Sequence, residues 1–247
     1  MILSVFYFII LILFLIVYAV FISVVWLLTV WWDKKRSIIS ATTYVHAMIL
    51  FWLCPRWKVK VEGREHYTRK KPYVIICNHQ GMFDIPLMYA IRPNLRWVAK
   101  KELLKMPFVG HAMLIHGDIT IQRGDAVSAR HMFEKGTKEL KQGVSVSLFP
   151  EGTRLKTGKM NRFKEGAFKL AKMADVEILP VVLDGTSNAF KGWKLVVPHT
   201  FRLKVLPPIP VVTVRANDAV ALGEIAREMI LREHRLMRPD LYRDEEK

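Results

Sequence analysis

Cysteine is scarce in this chain of 247 residues: Cys54 and Cys77 are the only two, and their spacing suits neither a disulfide framework nor a zinc site. A reduced, cytoplasm-facing setting is the simplest one they allow. Charge is missing altogether from the first 32 residues, which hold no Asp, Glu, Lys, Arg or His. A secretory signal is thereby excluded, since it needs a basic leader, a shorter apolar run and a small-residue cleavage site. Acidic residues are in deficit over the remainder, 22 against 38 Lys and Arg, so the whole net charge of +16 lies beyond Trp32. No RNA-binding aromatic motif, zinc-finger spacing or basic heptad accompanies that excess, so no nucleic-acid partner is expected. The polyanion is then an anionic lipid surface or a phosphorylated substrate. Repeats and low-complexity linkers are absent as well.

What the sequence does contain begins with an apolar run. Met1 to Trp32 would measure about 48 Å as a helix, against a hydrocarbon core of about 30 Å. Trp26, Trp31 and Trp32, followed by Lys34, Lys35 and Arg36, read as an interfacial anchor with a positive-inside flank. A second apolar stretch, residues 38–53, carries Ser40, Thr42, Thr43 and His46 and reads as a helix lying in the interface. Two arrangements stay open: a span with the N-terminus outside, or a helix pair dipping into one leaflet. Both leave the basic remainder on the cytoplasmic face of a cell membrane. The length suits an anchor over residues 1–56 ahead of a domain of about 190 residues, 57–247.

From Trp57 onward apolar runs with strand and helix periods alternate, which predicts an α/β domain. Strands are expected at 57–63, 73–77, 96–100, 118–122, 144–150, 176–183 and 201–206. Helices are expected near 85–91, 102–105, 126–141 and 162–173, with a last one capped by Asn217 or Asp218 and ending near Leu236. Pro180, inside an otherwise buried strand, predicts a bulge or an edge position.

The stretch YVIICNHQGMFD (73–84) concentrates the chemistry. A buried strand breaks at Asn78-His79, turns through Gly81 and meets Asp84 before a helix, and the carboxyl ends of strands in open α/β sheets are where ligands bind. On one continuous helix His79 and Asp84 would sit roughly 140° apart, so a turn is needed to join them. With that turn the Asp84 carboxylate can accept the imidazole Nδ1 proton and leave Nε2 as a base. The plainer reading is a structural histidine beside Asp84 as the helix N-cap.

Two further loops follow strands, at Arg123-Gly124 and at Pro150 to Arg154. Gly152 frees the backbone for close approach to a ligand, Thr153 offers a hydroxyl and Arg154 a five-donor fork. Glu151 offers an acceptor for a substrate hydroxyl or a basic neighbour. With Arg123 these make a candidate phosphate site, and Lys100 and Lys105 are further candidates whose plainer reading is a solvated basic face. Gly152 to Lys159 fails as a nucleotide loop, because five residues separate its glycines and Met160 stands where a magnesium-binding hydroxyl is required. His111 and His116 lack helical zinc spacing and read as packing or interface histidines, so no metal is expected. No G-x-S-x-G elbow exists, and Cys77 is a poor nucleophile at a strand end that breaks before His79. What is left is a base without a protein nucleophile, beside a phosphate site, which suits activation of a substrate hydroxyl.

Together these motifs resemble the 1-acyl-sn-glycerol-3-phosphate (lysophosphatidate) acyltransferase family over roughly Lys71 to Leu206. The blocks are NHQGMFD (78–84) for Asn-His-x-x-x-x-Asp, GDITIQR (117–123), FPEGTR (149–154) and LPVV (179–182). Thr120 and Gln122 depart from the second block, where only Arg123 carries over. The resemblance implies a mixed sheet flanked by helices, lysophosphatidate as acceptor, and acyl-carrier protein or coenzyme A as acyl carrier. The thioester is a co-substrate and no cofactor is implied. His79 would take the proton of the sn-2 hydroxyl, Asp84 would orient the imidazole, and Arg123, Glu151, Gly152, Thr153 and Arg154 would hold phosphate and glycerol. Backbone amides near Gly81 or Gly152 are candidates for the oxyanion. The alternatives are a related enzyme acting on glycerol 3-phosphate, a lysophospholipid or an amino lipid, or a non-enzymatic protein binding anionic lipids.

Overall fold

The uncharged run forms α1 (Ile2–Thr29), and after a tight connector the second apolar stretch forms α2 (Ser37–Trp52). Asp33 starts α2 by accepting the amides of Ser37 at 2.9 Å and Ile38 at 2.7 Å, two of the donors a helix start leaves unpaired. The computed structural model describes residues 2–54, 56–153 and 160–243. Among them, α1 is the one helix long and apolar enough to cross a membrane.

Strands and helices then alternate: β1 (Trp57–Glu62), β2 (Val74–Cys77), α3 (Asp84–Met88), β3 (Leu95–Lys100), α4 (Val109–His116), β4 (Ile119–Ile121), α5 (Ala126–Lys141), β5 (Ser145–Leu148), α6 (Gly166–Ala174) and β6 (Ile178–Asp184). A hairpin, β7 (Phe190–Lys191) and β8 (Lys194–Leu195), precedes β9 (His199–Val205), α7 (Val211–Ala216) and α8 (Ala219–Met237). Seven strands form one mixed sheet in the order β1-β9-β6-β2-β5-β3-β4. From β6 to β4 they run parallel, while β9 is antiparallel to β6 and carries β1 parallel to itself. The carboxyl ends of β2 to β6 therefore open on one edge of the sheet.

Alternation along β2 sorts the core into two layers. Val74 and Ile76 pack with Met132 and Leu140 of α5, Phe168 of α6 and Ile230 of α8. Ile75 and Cys77 face the other way, onto Leu50 and Phe51 of α2 and Leu87 of α3. The anchor region and the α/β region thus share one core, although the sequence suggested a boundary at residue 56.

Most predicted elements stand within a residue or two of their expected ends, and Asp218 caps α8 by accepting the amide of Ala221 at 2.8 Å. Pro180 lies in an inner strand, and the bulge falls on its neighbour. Between the pairs Val181↔Val205 and Ile178↔Ile209 the partner chain carries one residue more than β6 does. The helix expected from residue 162 starts at Gly166, because Asn161 and Lys164 give their amides to Glu151 and to the Pro150 carbonyl. Helix α4 and the β7–β8 hairpin carried no clear periodicity and were not foreseen.

Candidate active site

At the end of β2 the Asn78 side chain continues the sheet: its amide donates to the Leu183 carbonyl and its oxygen accepts the Leu183 amide, both at 2.8 Å. The chain then turns under the loop that follows β6. A Cβ built on Gly81 would lie 2.3 Å from the Thr186 carbonyl oxygen, so no other residue fits this approach. The turn returns Asp84 to His79, and His79 Nδ1 lies 2.6 Å from Asp84 Oδ2. Asp84 is completely buried, whereas the His79 side chain keeps 16% of its surface exposed. Stacking on Phe149, at 3.9 Å between centroids, fixes the imidazole plane, and Phe149 in turn stacks on Trp97.

The Asp84 carboxylate does not cap α3, as one sequence reading had it. Its Oδ2 instead accepts the amides of Gln80 and Gly81, at 2.7 and 2.9 Å, and its Oδ1 accepts the Thr186 hydroxyl. Thr186 was missed from sequence. Its signal was D184-G-T186 directly after an apolar strand, the same strand-then-glycine-turn pattern that marked residues 73–84.

Glu151 is 3% exposed and its oxygens are already engaged: Oε1 accepts the amide of His79 and Oε2 that of Asn161, each at 3.0 Å. It ties the loop after β5 to the loop after β2, and burial pushes its pKa above the ordinary glutamate value. Arg123, exposed beyond β4, donates from its guanidinium to the Gly152 carbonyl, so the β4 loop joins the same cluster. Gly152 takes a φ of +72°, which favours glycine. Thr153 is exposed beside it. Arg154 lies outside the described residues. Lys100, at the carboxyl end of β3, is exposed and 3.3 Å from Glu102, and Lys105 is exposed at the end of the following 3-10 turn. Among the described residues, neither lysine is hydrogen-bonded or ion-paired to His79, Asp84, Glu151 or Arg123.

The amides suggested for an oxyanion are committed elsewhere, that of Gly81 to Asp84 and that of Gly152 to the Phe149 carbonyl. Cys77 is fully buried, and desolvation holds its thiol pKa well above the ordinary value, so it offers no thiolate. His111 contacts Ser23 at 2.7 Å, and His116 is bonded to Tyr89 and Asp118.

Comparison with known proteins places these loops in context. The acyltransferase family model matches residues 58–184. The chain is 35% identical over 193 residues to the 1-acyl-sn-glycerol-3-phosphate acyltransferase alpha of Mus musculus, covering 76% of this chain and 66% of the relative. It is 36% identical over 179 residues to the Homo sapiens protein of the same name, covering 70% and 62%. The chain therefore spans somewhat less than two thirds of the length of these relatives. In fold it is similar to the crystal structure of the 1-acyl-sn-glycerophosphate (LPA) acyltransferase PlsC from Thermotoga maritima. The TM-score is 0.80 at 24% identity, over 96% of this chain and 95% of that one.

Proposed function

The chain belongs to the acyltransferase family, and on that premise we propose that it transfers a fatty acyl group from a thioester to the sn-2 hydroxyl of lysophosphatidate, giving phosphatidate. The observation that carries this reading is the 2.6 Å contact of His79 Nδ1 with the buried Asp84 carboxylate. The Asp84 carboxylate accepts a hydrogen bond from Nδ1–H, which fixes the tautomer and leaves Nε2 as the basic nitrogen of a ring still open to solvent. The acceptor hydroxyl gives its proton to Nε2 as its oxygen bonds to the thioester carbon, and the carbonyl pair moves onto oxygen. Collapse of that intermediate breaks the C–S bond, and the leaving sulfur takes the proton back from His79.

Arg123, Thr153 and Arg154 supply the donors for the acceptor phosphate, with Gly152 giving the backbone room to approach it. Lys100 and Lys105 supply cationic attraction from the rim, to phosphate or to anionic headgroups. Glu151 acts by holding the two loops together. The donor is an acyl group on acyl-carrier protein or on coenzyme A, and no cofactor is needed for the step as written.

The anchor reading that the packing supports is the one-leaflet pair. Ser4 Oγ accepts the Leu195 amide at 3.1 Å, and Ser23 bonds His111 at 2.7 Å. Contacts so far apart lay α1 along the folded domain; turning it across the bilayer would carry Lys191 and Lys194 into hydrocarbon. The outer face of α1, with Phe6, Leu13, Val17, Val20 and Leu28 exposed, then lies in the cytoplasmic leaflet.

The test is an acyl-transfer assay with lysophosphatidate and each thioester, read as phosphatidate formed. His79→Ala should cost about 10²-fold or more in kcat. Unchanged turnover in that variant, or transfer only to acceptors lacking phosphate, would reject the reading.

A further inference from the structure

Behind His79 runs a line of buried polar groups that the chemistry above leaves unused. Gln80 is buried and reaches α8, where its carboxamide nitrogen lies 2.8 Å from His234 Nε2. His234 is 1% exposed, and its Nδ1 is 2.7 Å from the Tyr242 hydroxyl. On its other side the carboxamide oxygen lies 3.4 Å from Thr186 Oγ1, the hydroxyl that also bonds Asp84 Oδ1. Burial lowers the pKa of His234, which keeps the ring neutral with a single N–H.

Proton counting gives this line a direction. Thr186 has one hydroxyl proton, and a carboxylate can only accept, so that proton goes to Asp84. The lone pairs of the Thr186 oxygen then face the Gln80 carboxamide, which must answer with its N–H. The two ends of a carboxamide are alike in shape and exchange by a half-turn. With nitrogen toward Thr186, Gln80 turns its oxygen to His234, which must carry its proton on Nε2 and accept the Tyr242 O–H at Nδ1. Each contact along the line then joins one donor to one acceptor, whereas the opposite orientation sets two oxygens together with no proton to spare.

We propose that Tyr242, His234, Gln80 and Thr186 form a one-way donor chain ending on Asp84, and that His234 is a positioning residue for the His79–Asp84 pair. The chain holds Oδ1 from the side of α8, so that Oδ2 stays on the imidazole. Only the kinetic arm of its test rests on the acyl-transfer reading.

His234→Gln keeps an N–H for the Gln80 oxygen, and His234→Leu keeps the volume without it. The leucine variant should lose about tenfold in kcat with both KM values within twofold, and the glutamine variant should recover most of that loss. Gln80→Leu, which cuts the chain at the next link but leaves its backbone amide on Asp84, should match His234→Leu. Wild-type kcat in the two leucine variants, or equal loss in His234→Gln and His234→Leu, overturns the positioning role. Independently of any activity, nitrogen-15 spectra of histidine-labelled protein in detergent micelles, assigned by difference against His234→Gln, should show His234 as the neutral Nε2–H tautomer. An Nδ1–H tautomer or an imidazolium at neutral pH overturns the direction of the chain. A wild-type protein inactive on lysophosphatidate would sink the proposed function and leave the spectra to judge the chain.

Discussion

Asp84 gathers four donors on two oxygens: the His79 ring, the amides of Gln80 and Gly81, and the Thr186 hydroxyl. A carboxylate suits all four because it only accepts. In Asp84→Asn one side of the group becomes an NH2 that must face a donor, and the imidazole loses its preference for the Nδ1–H form. We predict a loss of about 10²-fold or more in kcat, with a smaller change in KM, measured on the purified variant. Glu151 poses a different question, since its desolvated carboxyl has a folded pKa raised above the ordinary 4.5. The folded state then binds the proton more tightly than the unfolded one, so Glu151 contributes more to stability at low pH. That contribution falls as pH rises from 4.5 through the raised folded value and is flat above it. The wild-type stability minus that of Glu151→Gln, from denaturant unfolding at a series of pH values, should decline across that window. A difference that grows with pH would contradict the burial argument.

At the scale of elements the site is a set of strand ends. Parallel pairing brings the loops after β2, β4, β5 and β6 to one edge, and the short contacts between them do the rest. At Gly81 the loops after β2 and β6 approach closely, with the Thr186 carbonyl oxygen 2.3 Å from any added Cβ. The obstacle is backbone, which cannot rotate away as a side chain can. Gly81→Ala should therefore push the β6 loop outward, cost about 1–3 kcal/mol of stability, and lower kcat by moving Thr186 off Asp84. A variant with wild-type kcat and thermal midpoint would show that the loop yields freely.

Over the whole molecule, the decisive feature is how α1 lies on the domain. Tyr7 packs on Trp57 at 5.3 Å, Ile22 joins Ile39 and Ile115 in one cluster, and Arg36 donates to the Leu114 and Ile115 carbonyls at the end of α4. The last contact places a cation at a helix carboxyl end, which favours it. With α1 held in this way, tags fused ahead of residue 1 and after residue 247 should both be open to protease from the same side of the membrane. Protection of the N-terminal tag alone would establish a span and refute the one-leaflet arrangement.

Much of this was legible in the chain itself. Strand and helix periods from Trp57 to Leu236, the turn needed to join His79 to Asp84, and the change from uncharged to charged sequence after Trp32 are local properties, set by side-chain alternation, cap residues and charge. The role of Glu151 was not legible, because both of its partners are backbone amides, which every sequence offers everywhere. Nor were Thr186, Gln80 and His234, whose meeting depends on β6 and α8 lying against β2 across more than a hundred residues of chain. Whether α1 crosses a membrane or lies along it was likewise beyond composition, since the same apolar run satisfies either. Residue order determined which elements form and which groups could react; only packing decided which acceptor each donor faces, because hydrogen bonds between distant segments depend on how the sheet brings its edges together.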